Sequence, residues 1–125
     1  MSTSSKAITK LFVYGTLKEG QRMDIRKFGN DVKFVTVGST QGKMWTNGFY
    51  PAVLFDKEGV VHGEVYTAYD ESTLARLDSY EGYPNLYTKK NIVVETEHGE
   101  KHECVAYHYN QSVERLEPVS SGVWY

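Results

Sequence analysis

The chain has 125 residues, 40% of them hydrophobic and 24% charged, with 14 basic against 16 acidic side chains. That length suits one globular domain with a real core and leaves no room for two. A net charge of −2 and the lack of any Lys/Arg-dense stripe argue against nucleic acid as a partner, and the apolar runs "PAVLF" and "NIVV" fall far short of the roughly 20 residues that a membrane-spanning helix needs.

The start, "MSTSSKAITK", is polar and holds no hydrophobic segment of the kind a secretory signal requires. Met1 to Lys6 are therefore expected to form a loose tail, and residues 7–125 a single domain. "KLFVYG" reads as a short strand that breaks at Gly15, and "GTLKEGQR" turns toward a short helix around Met23 to Phe28 that Gly29 ends. "VKFVTVGSTQGKMW" and "AVLFDKEGVVHGEVYTAY" read as β-hairpins, with turns at Gly38 to Gly42 and at Asp56 to Gly59.

The best-signalled helix is "ESTLARLDSYE": Asp70 is a suitable N-cap, acids occupy the first turn, Gly82 suits a left-handed C′ position, and Pro84 prevents continuation. "LYTKKNIVVET" and "KHECVAYHYN" then pair as a long hairpin across "EHGE". The tail "SVERLEPVSSGVWY" is ambiguous in pattern, although Trp124 and Tyr125 are expected to be anchored. Strands with two short helices inserted make an α+β domain built on a small curved or closed sheet. Cys104 is the single cysteine, so no intrachain disulfide forms and the cytoplasm is the expected compartment.

Three features bear on chemistry. In "LDSYEGYP", Leu74 and Leu77 precede Glu81 by seven and four residues, which places all three on one helical face and points the acid inward. The carbonyl-rich helix end and burial among tyrosines would both raise its pKa toward the range a general base needs; the same pattern also suits a solvated acid at a frayed helix end. "YGTLKEG" has a strand breaking at Gly15, where successive backbone amides can form an anion-binding nest, or an ordinary turn. It is no phosphate loop, because "QR" stands where a Lys-Ser/Thr pair is required. His102, Cys104 and His108 share one face of a regular strand, but a single row cannot wrap a tetrahedral ion, so no metal is implied. Cys104 reads as a small buried side chain, not a nucleophile, and His62 and His98 as surface residues near turns. The ten tyrosines suit either an amphipathic core or a pocket lining that uses both ring faces and hydroxyls.

"FVYGTLKEGQ", "YPAV", "HGEVY" and "LDSYEGYPNLY" occur in that order and spacing, and together they resemble the γ-glutamylcyclotransferase-like family, in particular its γ-glutamylamine cyclotransferase and plant avirulence-induced branch. The resemblance spans about Leu11 to Tyr109. It implies a small mixed β-barrel with flanking short helices and a cavity at one side. It also implies an activity that needs no cofactor: the α-amine of a small γ-glutamyl substrate attacks its own γ-carbonyl, releasing 5-oxoproline. The family's loop falls on Tyr14, Gly15, Thr16 and Leu17, which would cradle the glutamyl moiety, and its essential acid falls on Glu81. Tyr87 would supply a pocket hydroxyl, or be a packed strand tyrosine.

Two departures bear on specificity. Relatives often carry an acid before the C-terminal Trp, where this chain has Val123. Many also carry Arg shortly after the strand Tyr, where this chain has Lys89 and Lys90, and Lys cannot reproduce a bidentate carboxylate clamp. A cyclotransferase acting on γ-glutamyl amines is the leading reading, and a non-catalytic small-molecule binding module of the same fold is the alternative.

Overall fold

The computed structural model describes residues 9–15, 32–48, 50–68, 71–81, 83 and 85–124, with the backbone alone at 71 and 72. The expected tail at Met1 to Lys6, the helix around Met23 to Phe28, and Asp70, Gly82, Pro84 and Tyr125 lie outside them. In chain order the elements are β1 (Thr9–Val13), β2 (Lys33–Gln41), β3 (Lys43–Thr46), β4 (Pro51–Leu54), β5 (Val60–Ala68), α1 (Glu71–Glu81), β6 (Tyr87–Glu95), β7 (Lys101–Tyr109) and β8 (Glu117–Pro118).

Five strands close into a barrel in the order β1-β5-β2-β6-β7, and β4-β3-β8 form a separate small sheet. The barrel rests on three long antiparallel ladders. β1 pairs with β5 from Thr9↔Ala68 to Val13↔Glu64, β2 with β5 from Lys33↔Thr67 to Gln41↔Val60 around an irregularity at Phe34/Thr36, and β6 with β7 from Tyr87↔Tyr109 to Glu95↔Lys101. Two narrow seams complete the circuit, a parallel bridge at Leu11↔Val105 and an antiparallel one at Ser39↔Glu95. The α+β barrel expected from the sequence is thus present.

The two upstream hairpins are not. β2 and β3 are nearly contiguous but enter different sheets, as do β4 and β5: β3 pairs with β4 and β8, while β5 pairs with β1 and β2. The misleading residue is Gly38. It lies inside β2, and a Cβ there would come within 2.6 Å of Val94 Cγ1, so the glycine allows β6 to approach closely instead of turning the chain. The Asp56 to Gly59 turn exists, but it carries the chain from the small sheet to the barrel. By contrast, the β6–β7 hairpin has the expected partner and turn, closed by the Thr96 amide to the Glu100 carbonyl at 2.9 Å.

Strand alternation divides the core into two clusters. Leu11, Val13, Tyr66, Ala68, Tyr87, Tyr107 and Tyr109 pack with Leu77 of α1; Phe12, Val61, Val65, Val94, Cys104 and Ala106 pack with Met44 and Val53 of the small sheet. Leu77 is fully buried, which ties α1 to the barrel by about 2 kcal/mol of apolar transfer. The ambiguous tail is held at several points. β8 pairs with β3, the Val119 amide donates to the Met44 carbonyl at 2.8 Å, the Gly122 carbonyl accepts the His62 amide at 2.9 Å, and Trp124 packs on the second cluster. Gly122 has φ +68°, and a Cβ there would run into the Val60 carbonyl, so only glycine fits this closure. Among the described residues no helix is long and apolar enough to cross a membrane.

Candidate active site

Where the two core clusters meet, beyond the end of β1, lies a cavity of about 180 Å³. Its wall includes Tyr14 and Gly15 after β1, Tyr50 and Pro51 at the start of β4, Tyr80 and Glu81 in the last turn of α1, and Tyr87 and Tyr107 on the β6–β7 hairpin. Four of the sequence-nominated residues, Tyr14, Gly15, Glu81 and Tyr87, therefore line one space. Thr16 and Leu17 lie outside the described residues.

Helical periodicity delivers Glu81 to this wall. Leu77 packs in the core, Leu74 is half-buried against it, and Glu81 continues the same face beyond the apolar floor. The helix ends there, and the Tyr83 amide turns back to the Asp78 carbonyl at 2.9 Å, a six-to-one closure that occupies one of the last free carbonyls. Burial pushes the Glu81 carboxyl from an ordinary 4.5 up to about 7. No hydrogen-bond or ion-pair partner of that carboxylate is found among the described residues, so nothing there offsets the loss of water. At neutral pH such a group is close to half-ionised and able both to take and to return a proton.

The surrounding tyrosines are held by the scaffold. The Tyr14 hydroxyl donates to the Tyr107 carbonyl at 2.6 Å, the Tyr87 hydroxyl to the Pro51 carbonyl at 2.7 Å, and the Tyr107 hydroxyl to Asp78 Oδ1 at 2.6 Å. Burial raises all three phenol pKa values, with Glu81 among the further causes at each, which places the carboxylate within electrostatic reach of Tyr14, Tyr87 and Tyr107. These hydroxyls stay protonated and fix the ring positions, while their oxygens remain able to accept. Tyr87 is a buried strand tyrosine that also belongs to the cavity lining, with its hydroxyl proton given to the Pro51 carbonyl. At Gly15 a Cβ would lie 2.7 Å from Pro51 Cγ, so a side chain there would push the strand end off the small sheet and deform the wall.

Tyr50, Pro51, Tyr80 and Tyr107 were not singled out from sequence. Tyr107 had a signal in the period-two pattern of β7, since it lies on the face opposite His102, Cys104 and His108. That row has other occupations. His102 Nδ1 lies 3.2 Å from Lys10 Nζ, His108 Nδ1 accepts the Phe55 amide at 3.1 Å, and burial pushes the Cys104 thiol up to about 11, suppressing the thiolate. Among the described residues no group of three or more His, Cys, Asp or Glu side chains is placed to hold a metal ion. The departures lie off the cavity wall: Val123 borders a groove with His62, Glu64 and Glu95, Lys90 is exposed, and Lys89 pairs with Asp78.

The family model described as "Gamma-glutamyl cyclotransferase, AIG2-like" matches residues 11–125. The chain belongs to this family. A Methanocaldococcus jannaschii protein named "Putative gamma-glutamylcyclotransferase MJ1514" is 34% identical over 104 residues, covering 82% of this chain and 85% of the relative. The crystal structure of YkqA from Bacillus subtilis superposes with a TM-score of 0.75 at 30% identity over 94% of this chain, which spans only 40% of that longer protein. The crystal structure of an AIG2-like protein from Mus musculus gives a TM-score of 0.74 at 25% identity, covering 94% of this chain and 95% of the mouse protein. The barrel with its lateral helix is thus the family's fold, and three of the four ordered sequence blocks contribute residues to the cavity wall, while "HGEVY" lies in β5 away from it.

Proposed function

We propose that the chain is a cofactor-free γ-glutamylcyclotransferase that releases 5-oxoproline from γ-glutamyl amines or related small γ-glutamyl compounds, with Glu81 as general base and acid. The observation that carries this reading is a buried carboxyl with a pKa near 7 on the wall of a cavity otherwise lined by tyrosines and apolar groups. The cavity is smaller than the about 300–1,000 Å³ of sites for drug-sized ligands, which suits a glutamyl-sized group with its leaving amine directed outward.

In the proposed reaction Glu81 takes a proton from the substrate's α-ammonium, and the freed amine attacks the γ-carbonyl carbon, forming the ring C–N bond. Collapse of the tetrahedral intermediate breaks the bond to the leaving nitrogen, which receives the proton from Glu81; the ring nitrogen then gives up its second proton by the same route, so that a neutral lactam N–H remains and the amine departs as an ammonium ion. No net proton or electron is consumed. Both reacting groups belong to one molecule, so holding the folded conformer can supply up to roughly 7–11 kcal/mol of the barrier reduction. The proposed cradle for the substrate carboxylate or the oxyanion is the backbone at Tyr14 and Gly15, continuing into Thr16 and Leu17.

Product analysis tests the proposal. A panel of γ-glutamyl amines, γ-glutamyl dipeptides and glutathione is incubated with the protein in the absence of nucleotide. At least one member should yield 5-oxoproline and free amine in equal amounts, and its N-acetylated form should be inert because the attacking amine is blocked. Glutamate as the primary product would indicate water as the nucleophile and overturn the cyclotransferase reading. Binding of γ-glutamyl ligands without turnover would instead support the binding-module alternative.

A further inference from the structure

One turn before Glu81, Asp78 occupies the junction of three elements. Its Oδ1 accepts the Tyr107 hydroxyl of β7 at 2.6 Å, its Oδ2 accepts Lys89 Nζ of β6 at 2.9 Å, and its backbone carbonyl accepts the Tyr83 amide at 2.9 Å. Lys89 Nζ also stands 4.6 Å from the centroid of the Tyr83 ring. The Tyr107 bond has the length of a charge-assisted O–H···O⁻ contact, the strong member of the set. The Lys89 pair is partly solvated and correspondingly weak.

Tyr107 borders two spaces. It lines the Glu81 cavity and also a groove that includes Leu74, Asp78 and Lys89. Its backbone carbonyl accepts the Tyr14 hydroxyl. A single residue therefore joins the Asp78 carboxylate to Tyr14 at the end of β1, and it lines the cavity that Glu81 faces. Asp78 and Glu81 belong to the same last turn of α1, where side chains three apart are neighbours, so a shift of that turn would carry both carboxylates.

We propose that Asp78 is a positioning residue: through Tyr107 it fixes the last turn of α1, and thereby the Glu81 carboxylate, against the Tyr14–Gly15 wall of the cavity. The inference rests on the reading of Glu81 as the proton-transferring group. A loosened helix end would let the carboxylate reach solvent, moving it out of line with a substrate amine and restoring water around it. The titratable groups that share the cavity with Glu81 are Tyr14 after β1, Tyr50 before β4, Tyr80 on α1, Tyr87 on β6 and Tyr107 on β7, and those facing Asp78 are Tyr107 and Lys89.

The test follows the Glu81 carboxyl itself in the full chain by ¹³C NMR, with the resonance assigned by its loss in Glu81→Gln. In Asp78→Ala the Glu81 titration midpoint should fall by about one pH unit or more as water returns, and kcat for 5-oxoproline release should drop at least about tenfold with KM changed less than about threefold. Tyr107→Phe deletes the same hydrogen bond without altering charge, so its downward shift, smaller but of the same sign, cannot come from losing a neighbouring negative charge. Asp78→Asn keeps an acceptor for Tyr107 and should recover most of kcat. An unmoved midpoint and wild-type kcat in folded Asp78→Ala and Tyr107→Phe would overturn the proposal; if Asp78→Ala does not fold, Tyr107→Phe decides alone. Should the wild-type chain release no 5-oxoproline, the cyclotransferase reading fails while the titration still judges the positioning role.

Discussion

Asp78 and Glu81 are carboxylates one turn apart on α1, in opposite environments. The Asp78 side chain is engaged by Tyr107 and Lys89, whereas Glu81 faces tyrosine rings across a small cavity and has no hydrogen-bond donor among the described residues. A carboxylate that accepts two short contacts from neighbouring strands is committed to holding elements together and serves the scaffold. One stripped of water without replacement donors holds its proton up to neutral pH, which suits transfer chemistry. The contrast is sharpest in the response to amide substitution. Glu81→Gln retains size and hydrogen-bonding reach but cannot exchange a proton, so turnover should fall by about 10²–10⁴ with the circular dichroism spectrum unchanged. A 5-oxoproline assay giving near wild-type rates would remove Glu81 from the mechanism. In the wild type, activity should decline on acidification through about pH 7, as the carboxyl binds its proton. A profile flat down to pH 4 would assign the titrating base elsewhere.

The same substitution separates cost from use. Because the Glu81 carboxyl titrates higher in the folded chain than in the unfolded one, its protonation supports folding below pH 4.5, and that support is lost as pH rises through about 7. Above that range the ionised group should cost up to on the order of 3 kcal/mol, less to the extent that solvent screens a half-buried side chain. Glu81→Gln is expected to be as stable as the wild type at pH 4 and measurably more stable at pH 8, as read from urea midpoints at the two pH values. A stability difference independent of pH would mean that the carboxyl is better solvated than its position suggests.

How much of this arrangement is legible in the sequence depends on the distance over which it is encoded. The helix from Glu71 to Glu81 and the inward aim of its acid follow from 3.6-residue periodicity, and the β6–β7 hairpin follows from its own turn; both signals are local. The pairings of β2, β3, β4 and β5 are not local. Gly38 looks the same whether it turns a chain or admits Val94 from β6, and only the assembled barrel distinguishes the two. The site divides in the same way. Tyr14, Gly15, Glu81 and Tyr87 fall within ordered motif blocks, whereas Tyr107 reaches the cavity because the opposite face of β7 packs toward α1, and Asp78 acquires its role only from partners 11 and 29 residues away.

The smallest expected effect tests whether the anchorage of Asp78 is shared evenly between its two side-chain partners. Lys89 Nζ lies 2.9 Å from Asp78 Oδ2, but its side chain is 33% exposed and that of Asp78 24%, so water and salt compete with the pair. Lys89→Gln should therefore cost less than about 1 kcal/mol of stability at low ionic strength, and most of that loss should vanish near 1 M salt, where the screening length falls to about 3 Å. Tyr107→Phe removes a shorter, more enclosed bond to the same carboxylate and should cost about 1.5–3 kcal/mol with little dependence on salt. Denaturant unfolding of both variants at low and high salt measures the two losses side by side. A large, salt-insensitive loss at Lys89 with a small one at Tyr107 would reverse the assignment: the helix end would then be held from β6 by an ion pair, and Tyr107 would serve the cavity mainly through its ring.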